Sequence, residues 1–135
     1  MPVPYLMFNG RCEEALNFYK KALGAEIGMM MRFKDSPEPP PPGCAPGDVD
    51  KIMHSAFQVK GQTVMASDGM TNTPPKFEGF SLSVEAKDEP EAKRLFDALA
   101  EGGTVQMPLA KTFFAKSFGV VADRFGISWM IIVEA

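Results

Sequence analysis

The sequence predicts an α+β fold in which two tandem βαβββ modules form a cup-shaped mixed sheet. Three observations point to it. Residues 2–69 read strand, helix and three strands, and residues 79–135 read that way again. The two helices overlay, Glu14-Ala15-Leu16-Asn17-Phe18-Tyr19 on Glu91-Ala92-Lys93-Arg94-Leu95-Phe96, with Ala22 falling on Leu99. Each helix leads into a three-strand meander, whereas a ferredoxin-like α+β barrel would need βαβ crossovers. A repeated unit that must pair to bury its sheet face makes a cup, and a concave surface suits a small molecule. By length the 135 residues are one domain, made of a first module 1–69, a linker 70–78 and a second module 79–135.

The elements follow in order. Val3 to Phe8 is an apolar strand closed by the turn dipeptide Asn9-Gly10. Glu13 to Leu23 is a helix, because Ala15, Leu16, Tyr19, Ala22 and Leu23 recur at helical spacing and Gly24 supplies the stop. Ala25 to Phe33 is a strand containing the run Met29-Met30-Met31. Ser36 to Gly47 is rich in proline, which cannot donate to a sheet ladder, so it is expected as an extended exposed loop. A partner domain that reads proline helices is the other use for such a segment. Ile52 to Val59 and Gln62 to Ser67 form a hairpin across Lys60-Gly61.

The second half repeats the plan. Phe80 to Glu85 is a strand, and Glu89 to Glu101 a helix with Pro90 in its first turn and Gly102-Gly103 as its stop. Val105 to Leu109, Gly119 to Ala122 and Ser128 to Val133 are the last strands. Asp123-Arg124-Phe125-Gly126 is the turn between the final two, where Asp bonds its own backbone and Gly supplies a positive φ.

Composition narrows the function. A net charge of −3 offers no clustered basic footprint for nucleic acid. No apolar run approaches the roughly 20 residues that span a bilayer. Met1-Pro2-Val3-Pro4-Tyr5 lacks the basic and apolar regions of a signal peptide, so the cytoplasm is the expected location. Cys12 and Cys44 make no disulfide framework. Cys12 precedes the first helix, where backbone N–H groups can depress a thiol pKa, although a bystander thiol is the simpler reading.

The motifs Tyr5-Leu6-x-Phe8-x-Gly10, Glu14-Ala15-x-x-Phe18-Tyr19-x-x-x-Leu23-Gly24 and Asp123-x-Phe125-Gly126-x-x-Trp129 resemble the vicinal oxygen chelate superfamily. That group includes glyoxalases, bleomycin-resistance proteins and extradiol dioxygenases. Met53-His54, Ser67-Asp68 and the closing Asp-x-Phe-Gly-x-x-Trp look most like its PhnB-like branch, whose members often carry a demethylubiquinone-methyltransferase label. The resemblance implies metal ligands on the first and last strand of each module, usually His or Gln and then Glu. Registering the shared landmarks puts those positions near Pro4 and Met65 in the first module, and near Gly79 and Met130 in the second. None of these residues is a useful ligand for a hard or borderline divalent cation, and a slip of one residue, to Tyr5, Ala66, Phe80 or Ile131, supplies none. No metal and no cofactor is therefore expected. A nucleotide-like methyl donor would want a glycine-rich turn opening a helix, whereas Gly102-Gly103 ends one.

Chemistry falls to a few side chains. His54 is the candidate general base or anion contact, with a structural histidine as the rival reading. Alternation places it with Ile52 and Ala56, and Met53, Ser55 and Phe57 on the opposite face. Tyr5, Ser67, Asp68, Met65, Met130, Phe113, Phe114 and Trp129 are the further candidate ligand-binding residues. Asp68 either orients His54 or makes the turn into the linker. The methionines suit a flat or apolar ligand, or simply fill the core. Phe113-Phe114, in a polar stretch, reads as a lid or a dimer contact. The expected protein binds a small apolar or aromatic molecule as a homodimer with two equivalent pockets, binds neither nucleic acid nor membrane, and has as its alternative an enzyme of the same fold. A regulatory partner domain is the third reading.

Overall fold

The structure is a computed structural model of the chain and describes residues 2–36, 49–69 and 75–135. The proline-rich segment beyond Ser36, and Cys44 within it, lie outside the described residues. The chain divides into two compact units, 1–75 and 76–135, and the division falls within the segment 70–78 expected as the linker.

Unit 1 contains β1 (Tyr5–Met7), α1 (Cys12–Leu23), β2 (Glu26–Arg32), a 3-10 turn at Phe33–Asp35, β3 (Ile52–Val59) and β4 (Gln62–Ser67). Its sheet order is β1-β4-β3-β2, with β1 parallel to β4 and the remaining neighbours antiparallel. The β3–β4 hairpin turns at Lys60 (φ 50°) and Gly61 (φ 81°), two successive positive φ values whose twist matches that of the flanking strands. Glu13 and Glu14 open α1 and Lys20 and Lys21 close it, each pair complementing the helix dipole. Gly24, at φ 68°, ends the helix in the left-handed region and donates its N–H to the Tyr19 carbonyl. Ala15, Leu16, Tyr19 and Ala22 are buried against the sheet face carrying Leu6, Phe57, Val59, Val64 and Ala66. Tyr19 stacks on Phe57 with ring centroids 5.6 Å apart. Burying each such ring contributes about 1.5–3 kcal/mol.

Unit 2 contains β5 (Leu82–Glu85), α2 (Glu89–Ala100), β6 (Thr104–Ala110), β7 (Ala115–Ala122) and β8 (Ser128–Glu134), in sheet order β5-β8-β7-β6. Asp88 caps α2 by accepting the Glu91 N–H at 2.9 Å, and Glu91 reaches back to the Lys87 N–H at 3.1 Å. Ala92, Leu95, Phe96 and Leu99 form the core with Val84, Val121, Trp129, Ile131 and Val133. Phe96 lies directly over Gly119: a Cβ there would stand 2.8 Å from Phe96 Cε2. Gly103 is required by backbone crowding, since a Cβ would run into the Ala122 carbonyl oxygen.

Both helices have 12 residues. The overlay of Glu14 on Glu91 also sets Cys12 on Glu89 and Leu23 on Ala100, first on first and last on last. β7 begins at Ala115, earlier than the expected Gly119, because Ser117 and Phe118 already pair with Val133 and Ile132. Lys116 and Ser117 give that stretch too polar a pattern to read as a strand.

Candidate functional site

The candidate site is the face of the unit 1 sheet turned away from α1. Leu6 is buried on the helix side, so its neighbours Tyr5 and Met7 point the other way. Register extends this face across four strands. One row runs Tyr5, Met65, Ala56, Met29, and beside it Met7 pairs with Ser67 and Met31 with His54. Tyr5 Oη lies 3.1 Å from His54 Nδ1, with the rings 5.7 Å apart and tilted by 30°. Tyr5 is 41% exposed, while His54, Met31 and Met65 are half-buried. The phenol fixes the imidazole orientation, and Nε2 has no hydrogen-bond partner among the described residues. The face thus combines one polar dyad with soft, adaptable thioethers.

Asp68 does not serve this face. It is 3% exposed, and three backbone donors claim its carboxylate. Oδ1 accepts from Gly10 at 2.6 Å and Cys12 at 2.9 Å, and Oδ2 from Ile52 at 2.8 Å. One carboxylate therefore ties the end of β4 to the β1–α1 turn, the start of α1 and the start of β3. Ser67 is also buried, and its hydroxyl accepts the Gly69 N–H at 3.1 Å. Cys12 is the reverse of an activated thiol. Its burial pushes the thiol pKa up to about 12, and its only described side-chain partner is the Ser55 hydroxyl at 3.6 Å.

In unit 2, Trp129 sits on the α2 side of the sheet, 1% exposed. Its indole N–H donates to Asp123 Oδ2 at 2.9 Å, and Asp123 Oδ1 accepts from Phe125 at 2.8 Å and Ile127 at 3.1 Å. The ring is a core element with its one donor engaged, which removes it from the ligand-facing residues expected from sequence. Met130 is on the opposite face, between Ser83 and Val120. Phe113 is 99% exposed and packs edge-on to Phe114 at 5.2 Å, which in turn meets Phe118 at 5.2 Å. A groove of about 580 Å³ on the α2 side is lined by Lys93, Asp97, Lys111 and Lys116 over Phe96 and Leu109, and none of the expected site residues lines it.

The metal positions implied by the resemblance can be placed from this register. First and last strands meet at Tyr5 and Met65 in unit 1, and at Ser83 and Met130 in unit 2, so the first-strand position of unit 2 is Ser83 rather than Gly79. A phenol, a hydroxyl and two thioethers do not fit a hard divalent cation. Among the described residues no group of three or more His, Cys, Asp or Glu is placed to hold one. A nucleotide-like methyl donor fits no better, since the strand-to-helix turns Phe8-Asn9-Gly10-Arg11 and Ala86-Lys87-Asp88 contain Gly10 alone.

Met7, Met29 and Met31 were not among the residues expected from sequence. The signal for Met29 and Met31 was the methionine run on β2, which gains meaning only when the β2–β3 register sets Met31 beside His54, whereas Met7 had no such signal.

Among the described residues no helix is long and apolar enough to cross a membrane. The chain is 38% identical to protein YjdN of Escherichia coli (strain K12), over 98% of this chain and 95% of that one. The crystal structure of protein PA1353 from Pseudomonas aeruginosa is similar at 47% identity and a TM-score of 0.87, covering 99% and 97% of the two chains. The PhnB protein from Bacillus cereus is similar at 32% identity and a TM-score of 0.81, over 98% of each chain. A glyoxalase/bleomycin resistance protein from Albidiferax ferrireducens T118 shares the fold at 16% identity and a TM-score of 0.63, over 100% and 99% of the chains. The sequence model of one family, described as 3-demethylubiquinone-9 3-methyltransferase, matches residues 2–132. With that match and the relatives above, the chain belongs to this PhnB-like family, on the glyoxalase/bleomycin-resistance form of the vicinal oxygen chelate fold.

Proposed function

We propose that the protein binds a small apolar or aromatic molecule on the open face of the unit 1 sheet, without the metal of its superfamily. The observation that carries this is the Tyr5–His54 dyad set among methionines on a face that α1 leaves uncovered. Met29, Met31 and Met65 offer polarizable surface to a flat ligand, and the dyad gives one directional polar contact. The ligand-facing set is Tyr5, His54, Met65, Met29 and Met31, with Met130 on the corresponding face of unit 2. Large apolar side chains stay exposed in both units, among them Met7, Met29, Met107, Phe113 and Phe114. That exposure supports a homodimer, with the Phe113–Phe114 pair as a contact or a lid. The cytoplasm is the location we assign.

The Tyr5–His54 contact also favours a second reading, an enzyme of the same fold with His54 as a metal-free general base held by Tyr5. Thermal shift and calorimetry against flat aromatic and amphipathic compounds test the first reading. One compound class should raise the melting temperature, by about 2.7 kcal/mol of stabilisation at a hundredfold excess over Kd. His54→Ala should weaken that binding. A panel with no binder, or a binder indifferent to His54→Ala and Tyr5→Phe, removes the proposed site. Turnover of the bound compound that His54→Ala abolishes would select the enzyme reading.

A further inference from the structure

Where metal-dependent relatives are expected to present oxygen and imidazole donors, the open face of unit 1 presents sulfur. Thioethers bind hard divalent ions poorly and soft monovalent ions well. Their arrangement around His54 is specific. Met31 on β2 is directly across from His54 on β3. Met29 on β2 and Met65 on β4 flank Ala56, one row away on the same face, which makes them its diagonal neighbours. Directly opposed Cβ atoms stand about 4.5–5.5 Å apart and diagonal neighbours about 7–8 Å. A methionine, unbranched with three rotatable bonds, spans the remaining distance. Ala56 contributes only a methyl group between Met29 and Met65. Met7 belongs elsewhere: its Sδ leans over Gly69, 3.6 Å from where a Cβ would stand.

The imidazole is prepared for ligation. With Nδ1 held by Tyr5 Oη at 3.1 Å, Nε2 is the nitrogen presented to an ion. A ligating histidine characteristically donates its other ring N–H to a fixed acceptor, a role the Tyr5 oxygen fills. Imidazole and thioether are both neutral donors. They leave the charge of a dication uncompensated and are well matched to a single positive charge.

We propose that this face binds one Cu(I) ion through His54 Nε2 and the thioethers of Met31, Met29 and Met65, with Tyr5 as the positioning residue. The site occupies the same face as the organic ligand and does not depend on that reading.

The test uses the full chain carrying 13C-methyl methionine, titrated anaerobically with Cu(I) against a competing Cu(I) chelator. Cys44→Ser is run in parallel, because thiols also bind this ion. One equivalent should bind and shift the methyl signals of Met29, Met31 and Met65, while those of Met107 and Met130 stay in place. Met31→Leu and Met65→Leu keep side-chain volume and remove only the sulfur. Each should weaken Cu(I) binding roughly tenfold or more, since even losing a residue that only orients a metal ligand costs that, and Tyr5→Phe should do the same at unchanged melting temperature. No uptake, uptake that Cys44→Ser abolishes, or shifts confined to other methionines would overturn the proposal. The organic compounds are assayed on the parent chain without copper, so a chain that binds Cu(I) and no compound, or a compound and no Cu(I), separates failure of one proposal from failure of the other.

Discussion

Asp68 and Ile52 are joined by a 2.8 Å hydrogen bond from the Ile52 N–H to Oδ2, and the other oxygen of that carboxylate takes the Gly10 and Cys12 N–H groups. A carboxylate 3% exposed is thus held by backbone dipoles from three separate segments. Asp68→Ala would leave two buried donors and one part-buried donor unmet, at roughly 3 kcal/mol or more. Asp68→Asn should recover part of this, because one oxygen remains while its amide nitrogen faces a donor. Urea unfolding measures both, and a midpoint unchanged by Asp68→Ala would show the staple to be unimportant.

A second prediction concerns Gly119. Its Cβ would meet Phe96 Cε2 at 2.8 Å and the Leu109 Cα at 3.1 Å, and the backbone contact cannot swing aside. Gly119→Ala should cost about 1–3 kcal/mol. Phe96→Leu should relieve part of that cost, giving a favourable coupling in a double-mutant cycle. Simple additivity of the two changes would count against Phe96 as the obstacle.

Cys12 makes a pH prediction with a definite sign. Its thiol rises from 9.0 to about 12 in the fold, chiefly by burial, so above pH 9 the unfolded chain loses a proton that the folded chain keeps. Stability from this group is complete below the unfolded pKa and is lost as pH climbs from 9 toward 12. Subtracting the unfolding curves of Cys12→Ala from those of the parent isolates the effect. The difference should narrow across that window, and a difference flat from pH 8 to pH 11 would contradict it.

Tyr5→Phe separates local chemistry from stability. Tyr5 is 41% exposed and its hydroxyl meets His54 at the surface, so unfolding free energy should move by no more than about 0.5 kcal/mol. The 15N shifts of the His54 ring should change at once, because the partner that biases its tautomer is gone. Identical imidazole spectra in the two proteins would mean that the contact is not held in solution.

Local pattern made most of the fold legible. The hairpin Ile52–Val59 and Gln62–Ser67 has the bounds expected from period-two alternation around Lys60-Gly61, and α1 differs by one residue at its start. The site was harder for a physical reason. In β8, Trp129, Ile131 and Val133 alternate with Met130 and Ile132, so both faces are apolar and nothing local says that Trp129 goes to the core. Asp68 looked like a turn residue because Gly69 follows it, yet its partners lie at residues 10, 12 and 52. Tyr5 and His54 were both candidates, but the bond between them depends on β4 lying between their strands.

The matched helices frame a difference between the two open faces. Two halves with equal scaffolds have parted company at one row: Tyr5 beside Met65 in the first, Ser83 beside Met130 in the second. Helix length and sheet order are the same in both halves, while the polar side chains at this row are not. Substitutions on the open face of one half leave that half's own helix-side core untouched, so the side chains displayed there can change without disturbing the frame that carries them.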